Sequence, residues 1–230
     1  MKKGLWFLFL LALALAQSPL EKLKAALDRL RGPAHEGVYL LRVERPGLEK
    51  VYRLKVYTDG ERAHFRVLEP KGEAGLAYLS LGQDLYLYDP RLGRTLRLPP
   101  SARGERFLGS DLTYQDLMGR DLERLFEVSE AEGTLVLTPR PGAPTPYGKV
   151  EVYLKEGFLE RVLYFDQRGQ AVRELLLKGY QALSGGVLPR EMELKDLLRP
   201  GYRTLVQILE VRAGPVPERC FTPLYLERGC

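Results

Sequence analysis

Hydrophobic residues recur every three or four positions near the start of the chain and every second position over most of the rest. Leu20, Leu23, Leu27 and Leu30 form one apolar stripe, as on an amphipathic helix. Ser18-Pro19-Leu20-Glu21 supplies a hydroxyl cap, a proline in the first turn and an acid three residues after the cap. Gly32-Pro33 ends the pattern, which therefore predicts a helix between residues 18 and 32.

From Gly37 onward the period changes to two, and β-branched or aromatic runs alternate with turn residues. The clearest runs are Val38–Val43, Tyr52–Tyr57, His64–Val67, Val150–Leu154, Leu159–Phe165 and Val172–Leu177. Asp59-Gly60, Glu156-Gly157 and Arg168-Gly169 mark reversals between them. Turns spaced about every eight to twelve residues predict an antiparallel meander in one large sheet or barrel.

Some predicted strands are apolar on both faces, as in Leu85–Tyr88, so that something must cover one face of the sheet. The N-terminal helix can cover part of it. A second helical start lies at Thr113-Tyr114-Gln115-Asp116, again a hydroxyl with an acid three residues later, and predicts a short helix near 114–119. The segment 139–146 carries four prolines in eight residues and is predicted to be a loop.

The N-terminus has the pattern of a secretory signal peptide. Lys2 and Lys3 precede an apolar run from Leu5 to Leu15, and Ala14-Leu15-Ala16 closes it with small residues. We predict cleavage after Ala16, with residues 17–230 forming a single domain in the periplasm or cell envelope. The alternative is an uncleaved anchor, but such a run spans only about 16 Å as a helix, roughly half of the hydrocarbon thickness.

Charge and composition limit the kinds of function that the protein can have. The chain has 35 basic and 30 acidic residues, a net charge of +5, and the two signs are interspersed, which argues against a nucleic-acid partner. It contains no asparagine and a single isoleucine, Ile208. Depletion of the heat-labile amide is typical of thermophiles, although genome base composition produces the same bias.

Chemistry-bearing motifs are scarce. His35 and His64 belong to no metal or nucleophile pattern, and Asp116 is better explained as a cap residue than as the partner of Asp111 in a carboxylate pair. We therefore expect no enzyme activity, metal or cofactor. Cys220 and Cys230 are the only cysteines and predict a disulfide in an oxidising compartment, the alternative being two free thiols near the terminus.

One block of the chain carries a family resemblance. Residues 107–117 are similar to the Gly-Ser-Asp-Phe-Ser-Tyr-Glu-Asp-Leu signature of the outer-membrane lipoprotein-sorting (LolA-like) family. The chain departs from it at Leu112, Thr113 and Gln115. The matching residues are Gly109, Ser110, Asp111, Tyr114, Asp116 and Leu117.

The resemblance extends beyond this signature. Residues 84–90 and 94–99 resemble a strand pair of the family, with its usual tryptophan replaced at Leu85 or Tyr86. Residues 186–190, 203–204 and 221–226 resemble its closing strands and tail.

The resemblance implies a mainly β fold of the α+β class, in which a curved antiparallel sheet forms an incomplete β-barrel covered by an N-terminal helix and a mid-chain helical lid. It implies a carrier that holds acyl chains of lipoproteins or lipids in the hollow, with membrane donor and acceptor proteins as candidate partners. The alternatives are an envelope sensor or regulatory domain that binds lipid or peptide on the same fold, and a structural envelope protein with a filled core.

We predict that the segment after Ser110 is the lid. Its apolar side chains and those of the N-terminal helix are then candidates to face the hollow: Leu112, Tyr114, Leu117 and Met118 with Leu20, Leu23, Leu27 and Leu30. The motif itself is a fold signature, and it assigns no individual ligand contact.

Overall fold

The computed structural model describes residues 17–118 and 121–230, without the side chains of residues 117, 118 and 121. The predicted signal peptide, residues 1–16, lies outside the described residues. Among those that are described, no helix is long and apolar enough to cross a membrane.

The predicted N-terminal helix, α1, runs from Pro19 to Arg31. Its first turn is held by a reciprocal cap, in which Ser18 Oγ accepts a hydrogen bond from the Glu21 amide at 3.2 Å and the Glu21 carboxylate accepts one from the Ser18 amide at 2.8 Å. The helix ends where Gly32 takes a positive φ of 68°. Leu23, Ala26 and Leu27 form its buried face.

Within residues 17–118 and 121–230, thirteen antiparallel strands form one sheet. They are β1 (His35–Arg45), β2 (Leu48–Thr58), β3 (Arg62–Glu69), β4 (Ala77–Leu81), β5 (Asp84–Asp89), β6 (Arg94–Arg97), β7 (Phe126–Ala131), β8 (Thr134–Pro139), β9 (Lys149–Lys155), β10 (Phe158–Phe165), β11 (Ala171–Leu183), β12 (Gly186–Asp196) and β13 (Arg203–Ala213).

The order of strands shows how the sheet is assembled. It runs β6-β5-β4-β3-β2-β1-β13-β12-β11-β10-β9-β8-β7, so that two meanders meet at its centre, where β1 pairs with β13. The edge strands β6 and β7 do not pair with each other. The predicted fold class, a curved antiparallel sheet that forms an incomplete barrel with a few helices, is confirmed.

The chain between β6 and β7 connects the two edges of the sheet, and we call its described part, residues 98–118 and 121–125, the strap. It contains the 3₁₀ turns Pro100–Gly104 and Phe107–Gly109 and the short helices α2 (Tyr114–Met118) and α3 (Asp121–Leu125). Helix α2 lies at the position predicted for the second helix. A third 3₁₀ turn, Glu218–Phe221, and helix α4, Pro223–Arg228, follow β13.

Apolar side chains pack in two clusters on the inner face of the sheet. The first joins inward residues of β1 to β5, β12 and β13 with the strap, including Tyr39, Leu41, Leu54, Phe107, Tyr114, Val206 and Ile208. The second joins α1 and α3 with β7 to β11, including Leu23, Leu27, Leu125, Leu137, Val152, Val162 and Leu177. Met192 packs against both clusters.

Candidate functional site

A cavity of about 500 Å³ lies between the two inner clusters. Its walls are the inner face of the sheet, the C-terminal half of α1, the strap and the proline-rich loop. The apolar lining includes Leu27, Leu30, Tyr39, Leu41, Leu54, Val56, Leu112, Val162, Leu175, Met192, Val206 and Ile208.

The two-residue period of the strands places these side chains in the cavity. On β13, Thr204, Val206 and Ile208 point inward and line it, while the intervening Leu209 is 49% exposed on the outer face. Leu54 pairs with Tyr39 across β1 and β2, and both line the same wall. One alternating pattern therefore produces both the cavity wall and the solvated outer surface.

The structure places the predicted lining residues in three environments. Leu27, Leu30 and Leu112 line the cavity. Leu23 and Tyr114 are buried within the clusters, where Tyr114 packs against Tyr78 and Phe107, and Leu20 is half-buried outside the lining. The side chains of Leu117 and Met118 lie outside what the structure describes.

The family motif fastens the strap to the centre of the sheet. The buried carboxylate of Asp111 accepts hydrogen bonds from Arg45 Nη1 at 2.9 Å, from Thr204 Oγ1 at 2.9 Å and from Arg106 Nη1 at 3.2 Å. Arg45 Nη2 also donates to the Gly109 carbonyl at 2.9 Å. Because Arg45 lies on β1 and Thr204 on β13, these bonds join the strap to both central strands.

The other motif residues shape the turn and the start of α2. Gly109 has a φ of +70°, a region that favours glycine. The buried Ser110 Oγ accepts from the Leu112 amide at 3.1 Å. Asp116 Oδ2 accepts from the amide of Thr113 at 2.6 Å and from its hydroxyl at 2.8 Å, as expected of a cap. Asp111 and Asp116 are thus both committed to holding the strap.

Arg173 is a cavity-lining residue that the sequence reasoning missed. It lies on β11 at an inward position, next to Leu175, and its side chain is only 12% exposed. Its guanidinium donates to both oxygens of Asp116, at 2.6 and 3.2 Å, to the Tyr147 hydroxyl at 3.1 Å and to the Asp111 carbonyl at 3.1 Å. Within the described residues, its Nε has no hydrogen-bond partner.

Arg173 stays charged in spite of its burial. Burial alone lowers the pKa of an arginine, but the Asp116 carboxylate outweighs it and the pKa of Arg173 is raised. The signal available in the sequence was an arginine at an inward position of the predicted strand Val172–Leu177.

The cavity also has polar groups near His35 at the start of β1, the opposite end of that strand from Arg45. The buried His35 ring lies with Nδ1 2.7 Å from the Pro33 carbonyl and Nε2 2.6 Å from the Tyr39 hydroxyl. Burial lowers the pKa of His35, which keeps the ring neutral near pH 7. Arg31 and Arg62 border this end and pair with Asp28 and Asp59, each at 2.7 Å. The cavity is therefore apolar in its middle and polar at both ends.

The predicted cysteine pair lies outside the cavity. The structure links Cys220 to Cys230, whose Cα atoms are 5.0 Å apart. Residues 218–230, which we call the clasp, cover the outer face of β3 to β5, where Phe221 and Leu226 pack on Ala77 and Leu79. No cluster of metal-ligating side chains occurs in the part of the chain that the structure describes.

Comparison with known proteins gives one family and several structures. A family model described as "Uncharacterized protein"-like matches residues 59–228. A domain from Vibrio parahaemolyticus, described as an outer membrane lipoprotein-sorting protein domain, superposes with a TM-score of 0.77 at 21% identity over 91% of this chain and 98% of its own. A LolA superfamily protein from Nitrosomonas europaea gives 0.71 at 18% identity, over 91% of this chain and 100% of its own.

A protein of the DUF1329 family from Desulfovibrio piger gives a TM-score of 0.75 at 18% identity, again over 91% and 100% of the two chains. A search of curated proteins gives no match.

Proposed function

Since the chain belongs to the "Uncharacterized protein"-like family whose model matches residues 59–228 and has the fold of LolA superfamily proteins, we propose that it is a carrier that holds an acyl chain of a lipoprotein or lipid in its cavity. The observation that supports this most directly is the apolar cavity between two packed clusters. A structural protein with the same composition needs no such space.

The size of the cavity suits one acyl chain. A methylene group has about the volume of a water molecule in the liquid, about 30 Å³. The cavity of about 500 Å³ therefore matches one chain of roughly sixteen carbons. Burial of such a chain is worth on the order of 12 kcal/mol, at about 0.8 kcal/mol per methylene. Apolar walls on this scale are what a carrier needs in order to compete with a membrane.

The strap gives the cavity a cover that is separate from the sheet. It is fastened through the ion pairs of Asp111 and Asp116 and the packing of Phe107 and Tyr114, whereas the strands are joined by backbone hydrogen bonds. Release of the strap would open the cavity and leave the sheet intact. We propose this as the route by which a chain enters and leaves.

The proposal includes export. Removal of residues 1–16 as a signal peptide would deliver residues 17–230 to the periplasm or cell envelope, where membrane donor and acceptor proteins are the partners to expect. It includes no catalytic step, because the carboxylates of Asp111 and Asp116 are committed to ion pairs.

The first test uses a substitution that fills the cavity. Val206 lines it on β13, and Val206→Trp places an indole where several methylene groups of a ligand would lie. We expect affinity for a fluorescent fatty acid to fall at least tenfold, since each excluded methylene is worth about 0.8 kcal/mol. Leu209→Trp, on the exposed face of the same strand, is the matched control and should leave binding unchanged.

Leu175→Trp, which fills the cavity from β11, guards against an effect peculiar to one site. Thermal unfolding of all three variants shows which of them remain folded. Unchanged affinity in folded Val206→Trp and Leu175→Trp proteins would contradict the proposal.

A further inference from the structure

Arg173 stands out among the charged residues that line the cavity. Arg31 and Arg62 each pair with two carboxylates, those of Asp28 and Glu123 and those of Asp59 and Glu218. Arg173 pairs with one, Asp116, and its other contacts in the described structure are uncharged: the oxygens of Tyr147 and Asp111, and the Tyr164 ring, whose centre lies 5.3 Å from Cζ. It is therefore the least neutralised cation on the cavity wall.

The two members of this ion pair differ in their access to water. The side chain of Arg173 is 12% exposed and that of Asp116 is 26% exposed. A buried guanidinium needs an anionic partner at all times, because a buried unpaired charge costs several kcal/mol. Asp116 can be solvated more easily and keeps its bonds to Thr113 without the arginine. The Asp116 carboxylate is thus the member of the ion pair that another anion can replace.

We propose that the ligand is a single-chain amphiphile with an anionic head, a carboxylate or a phosphate, which binds Arg173 in place of Asp116 while the chain fills the cavity. This inference rests on the proposed carrier function and adds the chemistry of the head group. Guanidinium geometry suits both anions, since each accepts two parallel N–H donors. Nε, without a partner in the described structure, supplies an additional donor.

The exchange couples binding to the strap. Asp116 lies on α2, and its bonds to Arg173 tie the strap to β11. A head group that takes over Arg173 breaks this tie and leaves those of Asp111 to Arg45 and Thr204 in place. An anionic ligand therefore loosens one side of the strap as it binds, and a neutral chain does not.

The test compares three ligands that share a sixteen-carbon chain: palmitate, palmitoyl lysophosphatidic acid and neutral monopalmitoylglycerol. Each displaces the neutral fluorescent probe N-phenylnaphthylamine from the full mature protein. We expect both anions to bind at least about tenfold more tightly than the neutral lipid, the size of one charge-assisted hydrogen bond.

Two substitutions should act in opposite directions. Arg173→Gln should abolish the preference for anions, whereas Asp116→Asn, which removes the competing carboxylate, should raise affinity for both anions several-fold. A purely structural ion pair would weaken binding in both variants. Arg161→Gln, on the outer face of the neighbouring strand, is the matched control and should leave the affinities for all three ligands unchanged. If Arg173→Gln does not fold, Arg173→Lys should retain part of the preference.

The outcomes separate the two proposals. Preference for only one of the two anions supports the inference and identifies the head group. Equal affinity for all three ligands in the wild-type protein, or an anion preference that survives Arg173→Gln, overturns the inference and leaves the carrier function standing. Failure of every ligand and of the probe to bind overturns both.

Discussion

The imidazole of His64 lies between the sheet and the clasp with no exposed surface. Its Nδ1 is 3.0 Å from the carbonyl oxygen of Cys220, and its Nε2 has no partner in the described structure. Burial lowers the pKa of His64 to about 4. The ring is therefore neutral in the folded protein, with the Nδ1 proton donated to Cys220.

This histidine should make stability depend on pH. Between pH 6.5 and about 4 the unfolded chain binds a proton at this site that the folded protein does not, so stability falls as the pH is lowered through that range. The loss should reach on the order of 3 kcal/mol near pH 4. Urea unfolding at several pH values measures it, and His64→Gln should flatten the dependence. Equal slopes for the two proteins would exclude His64 as the cause.

The clasp is held to the sheet by few contacts besides its apolar ones. Arg62 pairs with Glu218 and lies with its guanidinium 4.3 Å from the centre of the Phe221 ring, and Arg66 donates to the Leu226 carbonyl. The loop from Cys220 to Cys230 contains ten peptide steps, and closing a loop of this length contributes about 3 kcal/mol in the chain-entropy model. Because both cysteines lie within the clasp, the disulfide restrains the conformation in which the clasp packs on the sheet and does not itself link the clasp to a strand.

We expect the double variant Cys220→Ser/Cys230→Ser to unfold at a temperature several degrees below that of the wild type, because the clasp loses this restraint. Reductant should lower the melting temperature of the wild-type protein to a similar extent and leave the variant unaffected. The same melting temperature in oxidised and reduced wild-type protein would show that the cysteines are not paired.

Local signals predicted the elements better than their partners. The cap at Ser18, the turn at Asp59-Gly60 and the short helix after Thr113 all depend on neighbouring residues and were read from the sequence. The pairing of β1 with β13 joins residues more than 150 positions apart and has no local signature. Residues 221–226 resemble the family's closing strands and tail, but end the 3₁₀ turn and begin α4.

For the candidate site, the sequence likewise predicted a local feature but not the tertiary contacts. The leucine stripe of α1 correctly marked its inward face, but only tertiary packing decides that Leu23 joins a core cluster and that Leu27 and Leu30 reach the cavity. Arg173 was missed because apolar periodicity treats a charged residue as outward. Its alternation with Leu175 was a signal in the sequence, but its partner Asp116 is 57 residues away and has no local signature.

Across the whole molecule, a row of ion pairs crosses the outer face of five strands. Arg161 on β10 pairs with Glu174 on β11 at 2.6 Å, Lys195 on β12 lies 3.6 Å from Glu174, and Arg203 on β13 joins Glu193 of β12 at 3.3 Å to Glu44 of β1. The row therefore crosses the junction of the two meanders. Connected charges of this kind contribute more than isolated surface pairs, especially at high temperature.

Glu193 is the best point at which to test this row. Its side chain is 10% exposed and lies within 4 Å of Lys178, Lys195 and Arg203. We expect Glu193→Gln to lower the free energy of unfolding by about 1 kcal/mol or more, because three cations lose one shared carboxylate. Glu160→Gln, which removes one exposed pair with Lys155, should have almost no effect. Equal effects in denaturant unfolding would mean that the row acts as separate pairs.

The place of β1 at the centre of the sheet has a consequence for synthesis. When β1 and β2 have left the ribosome, the other edge of β1 still lacks its partner, and β13 is completed only at Ala213. Translation proceeds at about 5 to 20 residues per second, so this open edge persists for on the order of ten seconds or more. An unpaired strand edge invites pairing with other chains. Until β13 is available, this edge of β1 can therefore remain unpaired or pair with another chain.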